Sequence, residues 1–138
     1  MTNFISCRVI KIKTGQDASN LTKHGMRQQG YDGKSKIDRA RTHLNEHHTY
    51  DNDAREWTQE ANCPNYHALL KARCAAQGAK RPKNGVFGTE MLMTASPEIF
   101  HDERGNICNE KAKRWAEDCR KVAQEEYGGM IVASRLDL

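Results

Sequence analysis

The sequence predicts an α+β fold, because strand-like and helix-like segments are interspersed along it. As extended chain, Phe4–Lys13 and Val86–Thr94 would carry apolar residues on each face, as β-strands can. Between Asn109 and Tyr127 the apolar residues recur at helical spacing instead. The order of strand, helices, strand, helix and strand indicates an α+β or α/β sandwich. We expect the three strands to share one sheet.

In the first third, the strand Phe4–Lys13 is followed by a predicted helix over Asp17–Gln29. Asp17 or Ser19 is expected to cap its N-terminus, since short polar side chains accept hydrogen bonds from the first turn. Gly30–Ser35 contains two glycines and predicts a loop.

The middle of the chain is more polar. Asp38–His48 is compatible with a short helix or with an irregular segment that crosses the sheet, and the residues leave both open. Asn52–Ala61 predicts a polar helix anchored by Trp57. A further helix is predicted over Tyr66–Gln77, with Gly78 at its C-terminal end.

The last third gives the strongest pattern. After the strand Val86–Thr94, a turn is predicted at Arg104–Asn106. Asn109 is expected to cap the following helix, which Gly128 ends before a final strand over Met130–Leu136. The predicted buried stripe of this helix consists of Ala112, Trp115, Cys119, Val122 and Ala123.

The bulk properties favour one domain, residues 1–138, with a modest core. Hydrophobic residues make up 37% of the chain, and 22 Lys and Arg against 18 Asp and Glu give a net charge of +4. This charge permits nucleic-acid binding without specifying it. Five cysteines with no C-x-x-C argue against a zinc ribbon or a disulfide framework. Without a signal-like start or a membrane-length apolar run, the predicted compartment is the reducing cytoplasm.

One stretch, Asn20–His48, holds four of the six histidines among arginines and lysines. Imidazole can transfer protons or attack near neutral pH, and guanidinium binds phosphate oxygens in a fork. His24 and Arg27 lie one helical turn apart, so both can face one phosphate. On the residues alone, an exposed pair on a helix is the favoured interpretation, and only the family resemblance described below makes the two equal.

A second candidate is a metal site. His43 and His47 are four residues apart and could bind one ion from a helix, with His48 beside them. An unrelated small metalloprotein is therefore an alternative hypothesis. Surface histidines that contact phosphate or water are the other interpretation of this cluster.

Several features resemble the N-terminal part of the MobV-type plasmid mobilisation relaxases, also called Pre or plasmid recombination enzymes. They are the opening strand, the His24-x-x-Arg27 pair, the segment from Ile37 to Asn45, and the strand end over Glu90–Phe100, EMLMTASPEIF. A helix and a last strand follow. The order and spacing of these pieces carry the likeness.

The resemblance implies a His–hydrophobic–His relaxase sheet and an enzyme that nicks one plasmid DNA strand at a transfer origin through a covalent protein–DNA link. His24 would be the nucleophile, Arg27 a phosphate clamp, and Asn45 would order the site or hold DNA; a turn asparagine is the alternative for Asn45. Single-stranded or transfer-origin DNA is the expected partner, with no membrane. The expected DNA-binding residues are Lys23, Arg39, Arg41, Lys80, Arg81 and Lys83, although Lys80–Lys83 could equally form a solvated loop.

In the complete relaxases, a divalent metal, Mn or Mg, is held by an Asp-Glu, Pro-His and further His motif after the strand matching Met130–Asp137. The present sequence reaches Leu138 where that motif should begin. We therefore expect no metal site in this chain and activity only as part of a longer chain. A non-catalytic DNA-binding remnant is the alternative. None of the four tyrosines lies in a recognisable relaxase motif.

Overall fold

Helices and two antiparallel sheets make up the residues described by the computed structural model, which are 5–26, 45–80, 86 and 88–137. The predicted α+β class is confirmed. In chain order the elements are β1 (Ile5–Ile12), α1 (Gly15–Met26), β2 (Glu46–Asp51), β3 (Glu56–Glu60), α2 (Tyr66–Ala76), β4 (Gly88–Ala95), α3 (Asn109–Tyr127) and β5 (Ala133–Leu136). Short 3-10 turns over Pro97–Phe100 and Gly128–Met130 precede and follow α3.

The strands form two separate sheets, so the prediction of one shared sheet is wrong. β1 pairs with β4 from Ile5 opposite Ala95 to Ile12 opposite Gly88. β5 pairs instead with β2 in a three-stranded sheet of order β3-β2-β5. Strand partners are set by long-range register and packing, which the pattern within a single strand does not specify.

The predicted helix over Asn52–Ala61 is also wrong, because β2 and β3 form a hairpin there. The Asp51 carboxylate accepts hydrogen bonds from the main-chain N–H of Asp53 at 2.9 Å and of Ala54 at 3.1 Å. This Asx turn reverses the chain. The ring of Trp57 then lies against that of Tyr50, with centroids 5.1 Å apart, so the predicted anchor packs across strands.

α1 begins earlier than predicted, and its cap is neither Asp17 nor Ser19. The Thr14 hydroxyl accepts a hydrogen bond from the Asp17 N–H at 3.1 Å, while the Asp17 carboxylate accepts from the Thr14 N–H at 3.2 Å. This reciprocal pair is a capping box with Asp17 at its third position. The helix is described to Met26; the rest of the predicted range lies outside the described residues.

The other two helices match their predicted ranges closely. α2 is capped by Asn65, whose side chain accepts from the Ala68 N–H at 3.1 Å, and Gly78 follows it with a φ of +64°. α3 ends at Gly128 as predicted, but Cys108 occupies the cap position expected for Asn109.

The apolar stripe of α3 is only partly buried. Ala112 is buried, as predicted, and Ala116 joins it. Trp115 is half-buried against Phe100, with ring centroids 5.4 Å apart. Val122 is 54% exposed, which contradicts its predicted burial. The fully buried residues of the helix therefore lie in its first half.

A groove of about 420 Å³ separates the two sheets. Its lining includes every residue of 89–94 in β4 and of 132–137 at β5. The other edges of these strands are paired with β1 and β2, so their free edges face each other across the groove. The β1–β4 sheet also leaves Ile5 67% and Val9 65% exposed.

Candidate active site

Arg135, near the end of β5, lies at the corner where β2, α1 and α2 meet. Its side chain is only 12% exposed, and its Nε lies 3.0 Å from an oxygen of Asp137. Its Nη1 donates to the main-chain carbonyl of Leu21 in α1 at 3.1 Å. The guanidinium lies over the Tyr66 ring of α2, 5.9 Å from its centroid. One side chain thus joins three elements.

His47 in β2 is the cross-strand partner of Arg135. It is 6% exposed, and burial, followed by the positive charge of Arg135, lowers the pKa of its imidazole. His48 lies on the opposite face of the strand. Burial, followed by the charge of Arg120, lowers its pKa as well. Both imidazoles are therefore neutral at pH 7.

The N-terminus of α2 is attached to α1 through Thr22. The Thr22 hydroxyl accepts a hydrogen bond from the Tyr66 N–H at 2.9 Å and donates to the Pro64 carbonyl at 3.4 Å. The Cys63 thiol lies 3.8 Å from the Thr22 carbonyl. Burial raises the pKa of both Cys63 and Tyr66, so neither provides an ionised nucleophile at neutral pH.

Two of the predicted catalytic residues lie on elements that meet at this corner. His24 is half-buried on α1, three residues after Leu21. Asn45 directly precedes β2; since Glu46 pairs with Leu136, continuing the register places Asn45 opposite Asp137. Lys23, beside His24, is exposed, as is Lys80 after α2. The remaining predicted site residues, Arg27, Arg39, Arg41, Arg81 and Lys83, lie outside the described residues.

A family model described as plasmid recombination enzyme matches residues 1–135, nearly the whole chain. The chain belongs to that family. The resemblance inferred from the His24 pair and the Glu90–Phe100 segment is thereby confirmed. The protein is therefore an enzyme of plasmid mobilisation and recombination, and its substrate is DNA. No curated protein and no solved structure matches the chain. Within the described ranges, no helix is long and apolar enough to cross a membrane.

The described residues do not provide a metal site for the enzyme. Among them, no group of three or more His, Cys, Asp and Glu side chains lies together. The hypothesis that His43 and His47 bind one ion from a helix is wrong, because His47 lies in a strand. His47 and His48 project to opposite faces, so they cannot share an ion either. His43 lies outside the described residues.

The sequence did not indicate that Arg135 and His47 lie opposite each other, because they are distant in the chain and neither belongs to a recognisable motif. One signal was available: Arg135 is a charged residue inside a short strand, where an unpaired charge is rare. Asp137, two residues on, gave its counter-ion, since alternate residues of an extended chain share a face.

Proposed function

We propose that the enzyme nicks and rejoins one strand of plasmid DNA at a transfer origin, through a covalent bond between DNA and His24. The observation that supports this proposal most is the set of contacts made by the Arg135 side chain. Arg135 of β5 is bonded to the helix that carries His24, and β5 pairs with the strand that Asn45 precedes. Covalent catalysis of this kind uses a nucleophile together with side chains that orient and activate it.

In the proposed reaction, a ring nitrogen of neutral His24 attacks the scissile phosphorus in line. A phosphorus–nitrogen bond forms, the bond from phosphorus to one sugar oxygen breaks, and that oxygen leaves and takes up a proton. Arg27, three residues after His24 in the sequence, would stabilise the charge that develops on the phosphate oxygens. Attack by a sugar hydroxyl on the phosphoramidate reverses these steps and rejoins the strand.

Among the described tyrosines, none is a better nucleophile. A free tyrosine is about 99.9% protonated at pH 7, given a reference pKa near 10. Tyr50 is buried against Trp57, and burial raises the pKa of Tyr66 further. Tyr127 ends α3 as an exposed residue. These environments favour His24.

Activity in a longer chain is supported by the free edges of β4 and β5. The Tyr50 N–H donates to the Val132 carbonyl at 3.0 Å, so alternate residues of β5, Ala133 and Arg135, turn their main-chain groups toward the groove. No strand of the described chain pairs with them. One further strand in the groove would bond both edges and cover apolar surface. The metal motif expected after β5 would belong to such a continuation.

The test is a search for the covalent adduct. The chain, and a version continued through the expected histidine motif, is incubated with a single-stranded transfer-origin oligonucleotide and manganese, then analysed on a denaturing gel. We expect an acid-labile adduct, as phosphoramidates are, which His24→Ala abolishes while DNA binding persists. Arg27→Ala should weaken both. An acid-stable adduct on Tyr31 or Tyr50, or full nicking by His24→Ala, would overturn the assignment.

The alternative, a DNA-binding remnant without catalysis, predicts binding but no adduct from either version. The denaturing gel distinguishes the two hypotheses by the presence or absence of the adduct. The separate binding assay shows that the DNA site is intact in each version.

A further inference from the structure

We propose that Arg135 is a positioning residue, which holds the helix that carries His24 in place relative to the strand that Asn45 precedes. This proposal rests on the proposed function for its catalytic consequence. The structural part, that Arg135 fixes the last described turn of α1, stands on its own contacts.

The first contact sets the position of α1. Arg135 Nη1 donates to the Leu21 carbonyl at 3.1 Å, and Leu21 precedes His24 by about one helical turn. A bond to a main-chain carbonyl constrains the backbone itself. The constraint therefore passes along the helix to the Cα of His24, whatever rotamer its side chain adopts.

The remaining contacts fix Arg135 in turn. Its Nε is bound to Asp137, and its guanidinium plane lies over Tyr66. Because guanidinium is planar, with donors at fixed angles, these two contacts determine where Nη1 points. Burial to 12% exposure strengthens the ion pair relative to one at the surface.

The same strand end also places Asn45. Arg135 is paired with His47, and the register continues from Leu136 opposite Glu46 toward Asp137 opposite Asn45. Displacing the end of β5 would therefore shift both candidate catalytic residues. Arg135 contacts the Leu21 carbonyl, the Asp137 carboxylate and the Tyr66 ring, and the proposed role is to position the elements that carry them.

The matched control is Arg73. Its guanidinium also donates to main-chain carbonyls, those of Gly129, Ile131 and Tyr50, but it ties α2 rather than α1 to the sheet. Arg73→Met removes an arginine with similar partners and leaves the contact to Leu21 in place. Arg135→Lys keeps a donor and the charge but loses the planar fork, and it remains available if Arg135→Met fails to fold.

The first measurement is amide hydrogen exchange of Thr22, Lys23 and His24 in the free chain, under conditions where each variant is folded. We expect faster exchange in Arg135→Met, an intermediate rate in Arg135→Lys, and the wild-type rate in Arg73→Met. Unchanged exchange in both Arg135 variants would overturn the proposal. The hydrogen-exchange measurement requires neither DNA nor catalytic activity.

The second measurement is the single-turnover rate of adduct formation, with DNA affinity measured separately. Since misplacing a reacting group by about 1 Å can cost on the order of 100-fold in rate, we expect a loss of that order in Arg135→Met with little change in affinity. An unchanged rate would overturn the proposal and leave the proposed function intact. If the wild-type chain and its continued version form no adduct, the proposed function fails, and the exchange arm alone decides the role of Arg135.

Discussion

At the scale of single residues, two half-buried arginines join segments that are distant in sequence. Among the described residues the buried apolar side chains are few, and several are alanines. Arg73 and Arg135 instead bind main-chain carbonyls from elements distant in sequence. Hydrogen bonds from a charged donor are each worth about 1.5–3 kcal/mol, more than neutral ones. Such residues hold segments together where apolar contact is sparse.

His47 makes stability depend on pH in a defined direction. Burial and Arg135 lower its pKa in the folded chain, although Asp137 opposes the shift; burial and Arg120 do the same for His48, opposed by Glu46. As pH falls below about 6.5, the reference pKa of histidine, the unfolded chain takes up protons first. The free energy of unfolding should therefore decrease from there toward the folded-state pKa values.

We expect His47→Gln to reduce this loss and His47→Gln with His48→Gln to reduce it further, in urea titrations at pH 7 and pH 5.5. Identical pH dependence in the wild type and the double variant would contradict the assignment.

At the scale of elements, the capping box decides where α1 begins. The sequence indicated a helix but placed its cap at Asp17 or Ser19, whereas the structure uses Thr14 with Asp17 inside the first turn. Both choices satisfy the same local preference for short polar residues. The Lys13 N–H also donates to the Asp17 carboxylate, at 3.2 Å, so this carboxylate ties the first turn of α1 to the residue that follows β1.

Thr14→Ala should lower the free energy of unfolding by about 1 kcal/mol, because the Asp17 N–H loses its acceptor. Ser19→Ala is the control, since the structure gives Ser19 no capping role; it should stay within about 0.5 kcal/mol of wild type. Urea unfolding of both variants is the measurement. A larger effect for Ser19→Ala would show that the helix begins where the sequence pattern placed it.

At the scale of the whole molecule, we expect net charge and the surface lysines to govern how the enzyme binds DNA. A charge of +4 gives a modest attraction, so binding should be weak and sensitive to salt. In a plot of the logarithm of the binding constant against the logarithm of salt concentration, we expect the slope to steepen by about 0.7 for each phosphate contacted on single-stranded DNA.

Lys23→Ala and Lys80→Ala should each reduce that slope by about 0.7 in filter-binding titrations, if each contacts one phosphate. Lys121→Ala is a suitable control, because Lys121 is paired with Glu117 on the outer surface of α3. Binding with no salt dependence would count against a DNA surface at these lysines.

Metal binding also depends on the whole chain. The sequence contains no Pro-His pair of the kind that the resemblance to relaxases implies for the metal motif. We therefore expect calorimetry with manganese to show no stoichiometric site of micromolar affinity in the 138-residue chain. A site of that affinity would point to a ligand set that includes histidines outside the described residues, with His43 the first to replace.

The sequence alone determined α2, α3, the turn near Gly105 and the family. Each depends on residues close together in the chain: a helical stripe, a glycine at positive φ, a motif of a few letters. It did not determine β2 and β3, whose polar residues become strands through pairing. Nor did it find the contact of Arg135 with Leu21. Register and burial across distant segments arise only when the whole chain packs, so only the tertiary structure showed that Arg135 of β5 binds α1, which carries His24, and that β5 pairs with β2, which Asn45 precedes.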